Sequence, residues 1–148
     1  MIERTGDMMV MANQPNQVIL ATTNNVVKAN GELVMGGGAA LAVARMWPEA
    51  PKEFGVITQN LNPNHYCYWG VGDPYGAFQT KHHYYDPSSL KLIELSARKL
   101  QEIAEAYPEF TFHLPFPGIG LGSLKEFEVR PVLERIISAP NIMVWKLK

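Results

Sequence analysis

The sequence predicts an α/β domain of three layers, with helices on both faces of a central mixed sheet. Three observations carry this reading. Segments of strand character alternate with segments of helical period along the chain. Residues 17–23 (QVILATT) are continuously aliphatic and β-branched, as in a strand buried on both faces. Two glycine-rich loops, at 36–38 and 118–122, each follow a strand and precede a helix. In an open α/β sheet this places both at the carboxyl edge, where ligands bind.

Taken in order, residues 8–11 are a short apolar run after Gly6-Asp7, and Gln14-Pro15-Asn16 is a turn signal. The strand 17–23 ends at Asn24-Asn25, and Val26 and Val27 either extend the sheet or begin a short hairpin arm. After the triple glycine a helix is expected over 38–47, stopped by Pro48. Residues 54–59 (FGVITQ) read as the next strand, 60–64 (NLNPN) as a turn, and 66–71 (YCYWGV) as an aromatic strand pairing with 54–59. Gly72-Asp73-Pro74 turns the chain into a strand over 75–81.

Asp86-Pro87-Ser88-Ser89 reads as a helix start, and Leu92, Leu95, Leu100, Ile103 and Ala104 recur at helical spacing as far as Tyr107. A strand over 111–114, the second glycine loop, a helix over about 125–138 that starts or bends near Pro131, and a closing strand over 142–147 complete the series. No repeat, linker or low-complexity segment interrupts residues 1–148, so one domain is expected.

Composition narrows the functional classes. Hydrophobic residues at 47% against 18% charged argue for a folded chain rather than a disordered one. A net charge of −1 supplies no electrostatic basis for general nucleic-acid binding. The lone Cys67 cannot close an internal disulfide and fits a reducing, cytoplasmic setting; between two tyrosines on a strand it reads as buried filler. The N-terminus has neither signal-peptide nor anchor character, and no apolar run approaches the roughly 20 residues a bilayer span needs. His65, His82, His83 and His113 form no His-x3-His pattern and have no cysteine pair beside them, which argues against a metal site. No cofactor is expected.

The chemistry concentrates at the glycines. Gly36, Gly37 and Gly38 strip side chains from a loop that opens directly into a helix. Backbone N–H groups and the positive end of the helix dipole then suit an anion, most often a phosphate. A second loop of the same kind, PFPGIGLG, suits the other half of a diphosphate. The plainer reading is two glycine turns serving the fold alone.

Gly-Asp near the N-terminus, Asn-Gly-x4-Gly-Gly-Gly entering a helix, and a late Pro-x-Ile-Gly-x-Gly after a strand resemble, in order and spacing, a macrodomain, the ADP-ribose-binding module. The likeness spans nearly the whole chain. The segment TTNNVVKANGELVMGGGAA and the later TKHH resemble small bacterial and phage macrodomains. Thr80-Lys81 resembles the Thr-Lys of the terminal ADP-ribose glycohydrolase branch, which includes antitoxins that reverse DNA ADP-ribosylation.

The resemblance implies that Asp7 accepts the adenine amino group, with the Met8 backbone beside it. Asn30 would face the distal ribose and its anomeric carbon. Met35, Gly36, Gly37, Gly38 and Ala39 would wrap that ribose and its phosphate. Gly118, Ile119, Gly120, Leu121 and Gly122 would hold the diphosphate, and Trp145 would lie against the adenine. It implies ADP-ribose or an ADP-ribosylated macromolecule as partner; a monomer with no membrane partner is expected.

Whether the chain is an enzyme stays open at this point. Ala39 and Ala40 stand where many de-ADP-ribosylating macrodomains carry an aspartate. Lys81 matches the glycohydrolase lysine that attacks the anomeric carbon, a step open to a lysine amine that forms a Schiff base. The second-loop aspartate of that branch is missing: the chain reads Gly122-Ser123-Leu124-Lys125-Glu126, with Glu126 a neighbouring carboxylate. His82 and His83 point to opposite strand faces, so at most one reaches the pocket. Four readings remain: hydrolysis of an ADP-ribosyl linkage through Lys81 and Asn30, a non-catalytic reader or sponge, a 1″-phosphate phosphatase, and a protein-interaction domain with structural glycine loops.

Overall fold

The computed structural model describes residues 1–60 and 64–147; of the turn expected at 60–64, residues 61–63 lie outside the described residues. Six strands form one sheet: β1 (Ile2–Thr5), β2 (Gln17–Thr23), β3 (Cys67–Tyr68), β4 (Tyr75–Gln79), β5 (Thr111–Pro115) and β6 (Ile142–Lys146). Their order is β1-β6-β5-β2-β4-β3. All neighbours are parallel except β3, which runs antiparallel to β4. The carboxyl ends of β1, β2, β4, β5 and β6 therefore share one edge.

Four helices cover the two faces: α1 (Gly38–Met46), α2 (Ala50–Asn60), α3 (Leu90–Ala106) and α4 (Glu126–Ile136). Alternation along the buried strands divides the core. Val18 and Leu20 of β2, with Phe78, Phe112, Leu114 and Val144, pack against α3 and α4. Ile19 and Ala21, with Tyr75 and Ala77, pack against Val43 of α1 and Phe54 of α2. This is the three-layer α/β/α arrangement with a mixed sheet that the sequence predicts.

The element that departs most from expectation is 54–59, which lies within α2. Its β-branched residues suggest a strand, but Ala50, Phe54 and Thr58 recur at four-residue spacing and are the buried face, while Val56 faces solvent. Gly55 has a steric reason: a Cβ there would lie 1.9 Å from the Gly31 carbonyl oxygen, so the 27–33 excursion rests on this helix. The aromatic strand contracts to Cys67–Tyr68 and pairs with β4 rather than with 54–59. Val27 and Leu33 form an antiparallel bridge, which resolves 26–33 as a hairpin arm.

β1 is an unforeseen strand. Its four residues (IERT) are all exposed at the sheet edge, so no apolar alternation marks them. Its neighbourhood is held by Arg130, which donates to Glu3 (2.7 and 2.9 Å) and to Glu126 (2.8 Å). Helix α3 begins after Pro87, at Leu90, with the Ser89 hydroxyl accepting the Leu92 N–H at 3.2 Å.

No described helix is long and apolar enough to cross a membrane.

Candidate functional site

The carboxyl edge gathers the loops that the sequence singles out. Gly6 N–H donates to the Lys146 carbonyl at 2.8 Å, which sets Asp7 beside the end of β6. Asp7 is exposed, and its Oδ1 accepts the Met9 N–H at 2.9 Å, capping the 3-10 turn Met8–Met11 and burying Met8. Trp145 stands next to it: a Cβ on Gly6 would lie 3.9 Å from the indole.

The two glycine loops face each other. Gly36, Gly37 and Gly38 are exposed, with Met35 buried before them and Ala39 half-buried after. A Cβ on Gly37 would lie 3.2 Å from Cδ1 of Leu121, and one on Gly38 3.5 Å from the same atom. Leu121, 72% exposed, thus reaches from the second loop to the first. Around Gly36 and Gly120 no other part of the chain lies within 4 Å of a Cβ position. Gly118 has a different role. Its φ of +84° and the 2.7 Å approach to Ile93 Cδ1 reserve the position for glycine on structural grounds. Ile119 packs partly buried against the α3–α4 core, and Gly122 lies over Ser88, whose Oγ would be 2.3 Å from an added Cβ.

Lys81 is part of the same edge. It follows β4, and its Nζ donates to the carbonyls of Leu121 and Tyr84, both at 3.2 Å. A cation is therefore seated directly on the second glycine loop.

Asn30 lies on the hairpin arm rather than among these groups. Its Nδ2 donates to Glu32 at 3.1 Å, its Oδ1 accepts the Glu32 N–H, and its carbonyl accepts from Lys52 of α2. The asparagine tied to the Lys81 segment is Asn25, whose N–H donates to the His82 carbonyl at 3.1 Å. The resemblance selects Asn30 by its place before Gly31, whereas Asn25 enters only through this bond to His82.

Among the described residues, three buried side-chain atoms have no hydrogen-bond partner: Asn25 Oδ1, His83 Nδ1 and Ser88 Oγ. All three belong to segments at this edge. Unpaired buried polar atoms are scarce in native proteins, and these three are grouped near the carboxyl ends of β2 and β4.

Other candidates are occupied elsewhere. Glu126 accepts from Lys146 at 2.7 Å and from Arg130, and these bonds hold its carboxyl below the usual carboxylate range, ionised rather than proton-donating. His65 is buried with both ring nitrogens on hydroxyls, Thr23 at 2.7 Å and Thr58 at 3.1 Å. His113 accepts the Trp145 N–H at Nδ1 (2.9 Å), so its Nε2 carries the proton toward Gln17 Oε1 at 2.6 Å. Cys67 is buried, and burial pushes its thiol up to about 12, leaving it unreactive. His82 is exposed, and His83 is half-buried and stacks on Tyr85, with ring centroids 3.7 Å apart. Among the described residues no group of three or more His, Cys, Asp or Glu is placed to hold a metal ion.

The two buried histidines make stability depend on pH. Burial pushes both down to about 4, against an ordinary 6.5; Arg4 adds to the effect on His113. Between these values the unfolded chain binds protons that the folded one refuses, so stability is full above pH 6.5 and is lost as pH falls toward 4. For His65 the slope is about 1.4 kcal/mol per pH unit within that window. His113 adds in the same direction. Asp73, pushed up to about 6 by burial and by Glu53, acts in the opposite sense, reduced by its contact with solvent. A net fall in Tm of about 2–8 °C from pH 6.5 to 5 is expected in thermal melts. A level or rising Tm would contradict the neutral, buried assignment.

A central sheet is flanked by α1 and α2 on one face and by α3 and α4 on the other, with two glycine loops opposed at its carboxyl edge. No protein-family model matches the chain, and no curated protein matches it in sequence. Solved structures do. The macrodomain of Thermus aquaticus DarG aligns with 99% of this chain and 98% of its own at 23% identity and a TM-score of 0.74. Thermosipho africanus DarTG in complex with ADP-ribose aligns with 99% of this chain and 42% of its own, at 23% identity and a TM-score of 0.77. The macrodomain of Mycobacterium tuberculosis DarG aligns with 99% and 95% at 20% identity and a TM-score of 0.70. At these identities the likeness is one of fold.

Proposed function

We propose that this protein binds ADP-ribose, or an ADP-ribosyl group on a macromolecule, across the carboxyl edge of its sheet. The observation that carries the reading is the opposition of the two glycine loops across Leu121, with Lys81 seated on one of them. Backbone N–H groups freed of side chains at Gly36, Gly37 and Gly120 suit the two phosphates, while the Gly122 N–H is turned inward to the Ile119 carbonyl. Asp7 and Trp145, adjacent at the other end of the edge, suit an adenine: a carboxylate oxygen for the amino group and an indole for the ring. The fold of a DarTG solved in complex with ADP-ribose supports the same ligand.

Isothermal titration with ADP-ribose tests this directly. Binding at micromolar concentration is expected. Absence of heat at millimolar ligand would leave the glycine loops structural and favour the protein-interaction reading.

We further propose hydrolysis of the ADP-ribosyl linkage through Lys81. An amine at this position can add to the anomeric carbon once the leaving group departs. Glu126, at the start of α4 beyond the second loop, is committed to Arg130 and Lys146, so the proton for the leaving group has to come from elsewhere. The competing reader reading rests on that same engagement.

A further inference from the structure

We infer that Gln79 is a positioning residue for Lys81, and that through Asn64 it sets Lys81 and Asn25 relative to one another. The inference rests on Lys81 acting as the amine of the proposed site.

Gln79 is the last residue of β4 and is fully buried, 0% exposed. A buried amide is costly unless every group is paired, and an apolar side chain would pack the α1–α2 face more cheaply. Gln79 is paired throughout. Its Nε2 gives one proton to the Lys81 carbonyl at 3.1 Å and the other to Asn64 Oδ1 at 3.0 Å. Its Oε1 accepts the Tyr66 N–H at 3.1 Å. Its own carbonyl accepts the Ser96 hydroxyl of α3 at 2.8 Å.

Asn64 Oδ1 is shared. It also accepts Nδ2 of Asn25 at 2.6 Å, and that bond leaves Asn25 Oδ1 as the unpartnered buried acceptor. One amide thus links the carboxyl ends of β2 and β4. The backbone repeats the link: Thr23 O accepts from Thr80 at 2.9 Å and from Lys81 at 3.3 Å. Lys81 is fixed at its N–H by Thr23, at its carbonyl by Gln79, and at Nζ by Leu121 and Tyr84. With both backbone groups of Lys81 anchored, its Cα has little freedom, which narrows the positions from which the amine can reach a ligand. Misplacement of a reacting group by about 1 Å can lower a rate about 100-fold.

The test is reductive trapping of ADP-ribose, whose open-chain sugar carries an aldehyde. The neutral Lys81 amine adds to that carbon, water leaves as the imine forms, and cyanoborohydride delivers hydride to carbon while nitrogen takes a proton. The product is a secondary amine located by peptide mass spectrometry. In Gln79→Met the saturating trapping rate at Lys81 is expected to fall at least about 10-fold, with the ADP-ribose Kd within about 3-fold of wild type. Asn64→Ala, which breaks the relay outside β4, is expected to shift the rate in the same direction and serves if Gln79→Met does not fold.

Thr58→Val removes a buried bond to His65 and is expected to lower Tm without lowering trapping. Trapping at the wild-type rate in both relay variants would overturn the inference. So would an equal loss in Thr58→Val, which would assign the effect to stability. ADP-ribose binding without any adduct at Lys81 in the wild type would overturn the Lys81 reading and this inference with it. Absence of binding would overturn the ligand itself.

Discussion

Gly36→Val is expected to abolish ADP-ribose binding while leaving the fold intact. Glycine positions usually confound such tests, because the substitution strains the backbone or strikes a neighbour. Gly36 does neither. Its φ lies outside the left-handed region, and no other part of the chain is within 4 Å of its Cβ position. The space is open because nothing in the protein uses it. A valine there would project into the approach to the loop N–H groups and to the start of α1. Each charge-assisted hydrogen bond lost to a phosphate is worth about 1.5–3 kcal/mol, so loss of two weakens binding by at least about 100-fold. Stability should change by less than about 0.5 kcal/mol, as for an exposed site without special geometry. Titration and a thermal melt on the same sample measure both. Unchanged affinity would remove this loop from the ligand site. Gly118→Val is the contrasting case: with φ of +84° and Ile93 at 2.7 Å, it should lose stability first, which makes lost binding there uninformative.

The same contrast explains what was legible in the sequence. The order strand, glycine loop, helix is written in local chemistry: β-branched residues, then three glycines, then an alanine-rich helix. The carboxyl-edge placement follows from parallel topology alone. Residues 54–59 misled because Val56 and Ile57 carry strand preference, whereas the buried spacing of Ala50, Phe54 and Thr58 is helical and begins before the apparent strand. β1 stayed hidden because an exposed edge strand needs no apolar alternation; its partners are backbone groups of β6.

Asn30 and Asn25 are separated in three dimensions. Both sit near the first glycine loop in sequence, but the bridge between Val27 and Leu33 carries Asn30 out along the hairpin arm and keeps Asn25 against His82. Gln79 carried no motif at all. Its significance lies in which carbonyl its amide reaches, and a sequence does not contain that.

Lys81→Arg is expected to retain ADP-ribose affinity within about 3-fold and to lose release of ADP-ribose from a modified macromolecule by at least about 1,000-fold. Arginine separates two roles that lysine combines. Lys81 Nζ donates to the carbonyls of Leu121 and Tyr84, and so helps seat the second glycine loop. A guanidinium can serve those acceptors, so the loop and its phosphate contacts persist. It stays protonated at any usable pH and cannot offer the lone pair that attacks an anomeric carbon.

Lys81→Ala is less informative, since it withdraws the seat along with the nucleophile. Loss of binding in alanine but not in arginine would assign the cation a holding role. Turnover by the arginine variant at the wild-type rate would remove covalent chemistry at Lys81 and leave electrostatic assistance alone. The third pattern, no turnover by the wild type on any linkage together with tight binding of ADP-ribose, would fit Glu126 being locked to Arg130 and Lys146. The edge would then hold a nucleotide without an acid to release it, and the seated lysine would belong to a reader.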